Sequence, residues 1–127
     1  MKYAEITGKV IGCAIEVHNE IGCGFQEVIY QRALQLEMGY QGIVFEREFE
    51  MPIKYKGEPI GARRVDFLVD GNISVELKAV SKLEDIHMNQ AKNYLEAYNL
   101  AIGLLINFGE PKLNFKRIYN NHFKPEG

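Results

Sequence analysis

Between Ile43 and Ala79 the apolar residues recur at every second position, whereas on either side of that stretch they recur at helical spacing. Side chains alternate across a strand but return to one helix face only after three or four residues, so a segment can satisfy only one of these periods. The switch therefore imposes strands that must pack on helices. Ahead of it, Ile6, Val10, Ala14, Val17 and Ile21 form one stripe and predict a helix over 3–21, ended by "GCG" at 22–24. A second helix is expected from about Gln26 to Met38, with Ile29, Ala33 and Leu36 inward and Gly39 as its stop. The alternating stretch reads as a three-strand meander, broken at Gly57, Pro59 and Gly61 and again at "DGN". Ser81 is the expected cap of a third helix over about 83–99, carrying Ile86, Ala91, Tyr94 and Leu95. The run "AIGLLINF" then suits a strand covered on both faces, "KLNFKRIYN" an edge strand, and "HFKPEG" a frayed tail. The order ααβββαββ predicts an α/β domain with a mixed sheet flanked by helices.

Within the meander the register follows from parity. Val65, Phe67 and Val69 share one face of a strand, and Ile73, Val75 and Leu77 share one face of the next. Burying both sets on the same side with a three-residue loop, Asp70 to Asn72, pairs Val69 with Ile73. Asp66 then faces Glu76, and Lys78 lies two residues further along the same face. Opposed carboxylates repel each other unless a cation lies between them or one is protonated. A hard divalent ion is the economical explanation, because magnesium is commonly held by one or two carboxylates plus water and phosphate oxygens. Such an ion makes a bound water more acidic and polarises a phosphoryl group, and Lys78 would offset charge growing there. Hydrolysis of a phosphodiester is the matching reaction. The same three residues also read as the solvated face of an ordinary antiparallel ribbon.

A chain of 127 residues fits one domain, 1–127, since halves of it would be too small to bury adequate cores. No apolar run approaches the roughly 20 residues that cross a bilayer, and the amino terminus lacks the apolar centre of a signal peptide. A cytoplasmic address and no membrane partner are expected. Cys13 and Cys23 are too few for a disulfide framework or a thiolate zinc site. The net charge of −2 gives no global attraction for nucleic acid, so local cations or a metal would have to supply it. There is no nucleophile elbow, phosphate-binding glycine loop or dinucleotide fingerprint.

The aspartate followed after nine residues by "ELK" (Asp66, Glu76, Leu77, Lys78) resembles the signature of the PD-(D/E)XK nuclease superfamily, with Val65 where a proline often stands. The rest of the chain resembles the GxxExxY family of that superfamily. Gly24, Glu27 and Tyr30 carry its naming motif, and "YKGEPIG", "VELKAV", "HMNQAKNYL" and "GLLINFG" follow in family order. Cys23 departs from the proline of the family's loop, which affects loop stiffness more than chemistry. The resemblance implies a restriction-endonuclease-like core and cleavage of DNA or RNA with Mg²⁺ or Mn²⁺. It further implies Asp66, Glu76, the Leu77 carbonyl and Glu27 as metal ligands and Lys78 as the catalytic lysine. Gln90 and Tyr94 resemble a QxxxY element and share one helix face. Tyr30 is expected in support and His87 near a phosphate.

Each of these has a plainer reading. Glu27 suits the positive end of a helix dipole, Gln90 a surface and Tyr94 a core. His18 and His87 lack zinc-ligand spacing and read as packing or capping residues. Arg63 and Arg64, with Lys54, Lys56, Lys112, Lys116 and Arg117, serve either phosphate contacts or a charged edge that discourages strand pairing. Two functions follow: a metal-dependent nuclease, or an inactive nuclease-fold module that binds nucleic acid or a protein. Weak phosphate attraction by so acidic a chain suggests a homodimer or larger assembly.

Overall fold

The computed structural model describes residues 2–125. Helices α1 (Lys2–Ile21) and α2 (Glu27–Tyr40) precede strands β1 (Phe45–Tyr55), β2 (Glu58–Val69) and β3 (Ile73–Lys78). Helix α3 (Asp85–Ala97) then leads to β4 (Ile102–Asn107) and β5 (Asn114–Tyr119). The five strands form one sheet in the order β1-β2-β3-β4-β5. Only β3 and β4 run parallel, and α3 is the crossover between them. This is the expected α/β order ααβββαββ with a mixed sheet flanked by helices.

One face of the sheet receives α1 and α2. Val10, Ala14 and Val17 meet Leu34, Met38, Phe67, Val75, Leu77, Leu104 and Ile106 in a single buried cluster. On the opposite face α3 covers β4 and β5, and Leu95 lies so near Gly103 that a Cβ there would come within 3.2 Å of it. All six β4 residues are buried between these layers. Because β3 and β4 run parallel in the middle of the sheet, their carboxyl ends, Lys78 and Asn107, emerge side by side.

Helix α2 turns a different face inward from the one its Ile29, Ala33 and Leu36 spacing predicts. Tyr30, Leu34 and Met38 are fully buried, whereas Ile29 and Leu36 are exposed. Two apolar stripes run along this helix, and the sheet selects the one with the larger payload. Tyr30 stacks on Phe108 at 4.6 Å between ring centroids, so turning it outward would forfeit an aromatic contact as well as burial. The helix also continues through Gly39. Its terminator is Gly42, at φ 71°, followed by Ile43 donating its N–H to the Met38 carbonyl.

The hairpin register is as parity requires: Val69 pairs with Ile73, Leu68 with Ser74 and Phe67 with Val75. Asp70 and Gly71 turn with positive φ. At the other end of β2, the turn is Lys56–Gly57, while Pro59 and Gly61 lie inside the strand. Residues 58–64 of β2 pair with β1 but not with β3, so the missing N–H of Pro59 breaks no second ladder. Helix α3 begins after Glu84, not Ser81. His87 Nδ1 accepts the Glu84 backbone N–H at 3.0 Å, giving the histidine a capping role. In the tail, Asn99 brackets Lys124 with two hydrogen bonds; residues 126 and 127 of the expected frayed end lie outside the described residues.

Candidate active site

The site forms where β2 and β3 part. Their described pairing stops at Phe67 and Val75, and at the next position Asp66 uses a side-chain oxygen, Oδ2, to accept the Leu77 backbone N–H at 2.7 Å. This bond satisfies a donor that the separated ladder leaves open, and it draws the carboxylate in between the strands. A cleft of about 430 Å³ opens there, lined among others by Glu27, Arg63, Asp66, Glu76, Lys78 and Gln90. Four separate elements thus contribute: α2, β2, β3 and α3. A larger groove of about 550 Å³, beside α1 and α2 around Lys9, Cys13, Glu16 and Glu37, gathers no comparable set of buried acids.

The GxxExxY residues shape one wall. Gly24 turns the chain at φ 112°, Glu27 opens α2 at the cleft, and Tyr30 points into the core. The Tyr30 hydroxyl donates to the Gly22 carbonyl at 2.7 Å and accepts the Phe25 N–H at 3.3 Å, pinning the loop that delivers Glu27. Cys23 is exposed in this loop, whereas Cys13 is buried with its thiol pKa pushed up to about 11, chiefly by burial.

Asp66 is also held from α2. Gln31 Nε2 donates to Asp66 Oδ1 at 2.8 Å, and Gln31 Oε1 accepts two N–H groups from Arg47, at 3.0 and 2.8 Å. Arg47 completes its fork on Gln35 at 3.0 Å. This relay from β1 through α2 fixes the carboxylate. Gln31 was not among the expected site residues; its spacing of four from Glu27 is the signal that places both on one helix face.

At the end of β3, Asn107 holds the backbone just beyond Lys78. Its Oδ1 accepts the N–H groups of Val80 and Gly109, and its Nδ2 donates to the Val80 carbonyl and to Glu110. The Phe108 N–H donates to the Lys78 carbonyl at 2.8 Å. His18 donates from Nε2 to the Glu110 carbonyl at 2.9 Å, so it too is a packing residue. A polar residue ending an otherwise apolar strand is the only trace of the Asn107 clamp in the sequence.

The cation that pairs with Glu76 within the chain is Arg63. Its Nη2 lies 2.5 Å from Glu76 Oε1, its Nη1 donates to the Gln90 carbonyl at 2.6 Å, and its guanidinium lies 5.3 Å from the centre of the Tyr94 ring. Gln90 thus enters the cleft, whereas Tyr94 lies beneath Arg63, 1% exposed, its hydroxyl the buried side-chain polar atom without a hydrogen-bond partner among the described residues. Burial pushes that phenol up to about 12. Arg64, by contrast, pairs loosely with Glu48 and Glu50.

Burial raises the pKa of all three cleft carboxyls above ordinary carboxylate values. For Glu27 the main opposing influence is the Lys78 charge; for Asp66 it is the Leu77 N–H, then Gln31; for Glu76 it is Arg63. Three acids held against their preference signal a site short of positive charge. The donor set is all oxygen, and each engaged carboxylate oxygen retains a lone pair, which fits a hard divalent ion. Among the described residues, no three His, Cys, Asp or Glu side chains gather closely enough to hold an ion on their own. An ion here would therefore draw on Asp66 and Glu76 and keep water or phosphate oxygens for the rest.

A solved structure described as "Crystal structure of SSO0001" is similar in fold, with a TM-score of 0.57 and 20% identity, over 74% of this chain and 50% of that one. This chain thus spans half of that structure's length, and the likeness speaks to fold alone. A search of curated protein sequences finds no match. A family model of the PD-(D/E)XK nuclease superfamily matches residues 4–118, taking in every element from α1 to β5 and all the cleft acids. By that match, and by the aspartate, glutamate and lysine its cleft brings together, the chain belongs to the PD-(D/E)XK nuclease superfamily.

Proposed function

We propose that the protein hydrolyses phosphodiester bonds of DNA or RNA with the help of a divalent metal ion, as a member of the GxxExxY family. The observation that carries this reading is the meeting of Glu27, Asp66, Glu76 and Lys78 in one cleft from three elements. Asp66 and Glu76, with the Leu77 carbonyl, are the residues that would hold Mg²⁺ or Mn²⁺, and Glu27 reaches it directly or through water. When bound, such an ion supplies neutralising charge at the phosphoryl group and a more acidic water. Where water separates it from the ion, Glu27 takes a proton from the attacking water. The Lys78 ammonium faces the growing charge on the phosphoryl oxygens as the water oxygen bonds to phosphorus and the ester oxygen departs, taking a proton from a second water. Gln90 orients the substrate from α3.

The reading makes nucleic acid the partner, without a membrane; no helix among the described residues is long and apolar enough to cross one. It also puts the chain in the cytoplasm, and its net charge of −2 favours a homodimer or larger assembly for gripping a polyanion. The test pairs wild type with Lys78→Ala on end-labelled single-stranded DNA, duplex DNA and RNA, in Mg²⁺, Mn²⁺ and EDTA. Cleavage by wild type alone, lost in EDTA, is the expected result. Binding without cleavage by either protein would overturn it in favour of an inactive module that recognises nucleic acid through the same cleft.

A further inference from the structure

Arg63 is placed unlike the other cations of the cleft. Lys78 and Arg64 have no pairing with Asp66 or Glu76 among the described ion pairs, whereas Arg63 is fixed on three sides: by Glu76, by the Gln90 carbonyl and by the Tyr94 ring. Its side chain is 28% exposed and that of Glu76 10%, so the pair sits at the inner end of the cleft, where screening by water is weak. The guanidinium therefore takes up one oxygen of the carboxylate that the proposed function makes a metal ligand. The Tyr94 hydroxyl beneath the guanidinium is buried with no hydrogen-bond partner among the described residues.

We infer that Arg63 is a positioning residue that serves as the resident counter-cation of Glu76, and that a divalent ion enters by displacing its guanidinium from the carboxylate. The inference rests on the metal-dependent reading above and adds how the ion is admitted. In the ion-free protein Arg63 pairs with Glu76 and holds it oriented into the cleft, which a buried carboxylate without a partner would resist. On entry, the ion replaces one positive neighbour with another of higher charge. The guanidinium stays tethered to the Gln90 carbonyl, within the cleft. Ion binding is then an exchange of cations, weaker than the two carboxylates alone would give and selective for ions dense enough in charge to win it.

The test is Mn²⁺ binding without nucleic acid, followed by calorimetry and by loss of the free-ion electron paramagnetic resonance signal, for wild type, Arg63→Gln, Arg63→Lys and Glu76→Gln. Arg63→Gln should bind Mn²⁺ roughly tenfold more tightly, a difference of about 1.4 kcal/mol. Arg63→Lys separates displacement from a mere change of field. It keeps the charge, but a single ammonium cannot reproduce the planar fork that spans Gln90 and Glu76, so it should tighten binding by roughly threefold. Glu76→Gln should lose most of the binding. Unchanged or weaker binding in Arg63→Gln would overturn the inference while leaving the metal-dependent reading standing. Arg63→Lys matching wild type would also overturn it, by reducing the effect to net charge. Absence of Mn²⁺ binding in every protein would sink both. Should Arg63→Gln fail to fold, the lysine variant decides alone.

Discussion

Replacing Gln31 by leucine tests whether the relay from Arg47 truly holds Asp66. Leucine nearly preserves volume, so the change removes hydrogen bonds with little cavity. The lost bond to the Asp66 carboxylate is charge-assisted and worth roughly 1.5–3 kcal/mol. The two bonds from Arg47 cost less, because that side chain is 30% exposed and water can replace Gln31 Oε1. Added apolar burial returns under about 1 kcal/mol. The net expectation is a loss of about 2 kcal/mol, which for a chain of this size lowers the melting temperature by roughly 7 °C. A double-mutant cycle with Asp66→Ala, read from urea midpoints at neutral pH, isolates the contact; the coupling should be at least about 1.5 kcal/mol. It should shrink in acid as Asp66 is protonated. A cycle that closes with no coupling would show that Gln31 merely packs near Asp66, and the account of how the aspartate is fixed would fail with it.

Other substitutions probe neighbouring parts. Tyr94→Phe removes the partnerless buried hydroxyl and should leave the ion-free protein about 1 kcal/mol more stable, by thermal or urea melting; a loss of similar size would reveal a partner that the fold does not display. Gly109→Ala would drive a Cβ to 2.3 Å from the Val80 carbonyl oxygen, against backbone that Asn107 holds, and should cost at least about 2 kcal/mol. The cleavage proposed above should fall too, since Ala79, whose backbone the Cβ also meets, directly follows Lys78. Stability should also respond to pH with a definite sign. Burial raises Glu27, Asp66 and Glu76 in the folded state, so between ordinary carboxylate pKa values and the raised ones the folded chain binds more protons than the unfolded. Their contribution to stability therefore falls as pH rises through that window, and urea midpoints of wild type should show a steeper fall than those of an Asp66→Asn, Glu76→Gln double variant.

The strand part of the site was legible because strand geometry has only two faces. Parity and a three-residue loop together pair Val69 with Ile73, and once that is given, Asp66, Glu76 and Lys78 have nowhere to go but one end of one hairpin. Helix α2 resisted because its sequence offers apolar residues on neighbouring faces, and only the presence of Phe108 across the core decides for Tyr30, Leu34 and Met38. Residues that act by tertiary hydrogen bonds were the hardest to find. Gln31, Arg47 and Asn107 are polar side chains whose partners lie 35, 16 and 27 residues away, beyond any local period. Arg63 was visible as a cation near Asp66, yet which acid it meets depends on how β2 bends away from β3. The repulsion between Asp66 and Glu76 suggested an ion between them; the chain answers part of it internally, with the Leu77 N–H and the Arg63 guanidinium.

The two thiols differ in a way that offers a practical handle. Cys13 is buried and strongly disinclined to ionise, while Cys23 is exposed in the loop that delivers Glu27. Alkylating reagents act on the thiolate, so under native conditions they should mark one atom of the chain. A fluorophore or spin label attached there would sit a few residues from the cleft wall without any engineered cysteine. Its signal would report when substrate or ion arrives, and unfolding would announce itself as the sudden appearance of a second reactive sulfur.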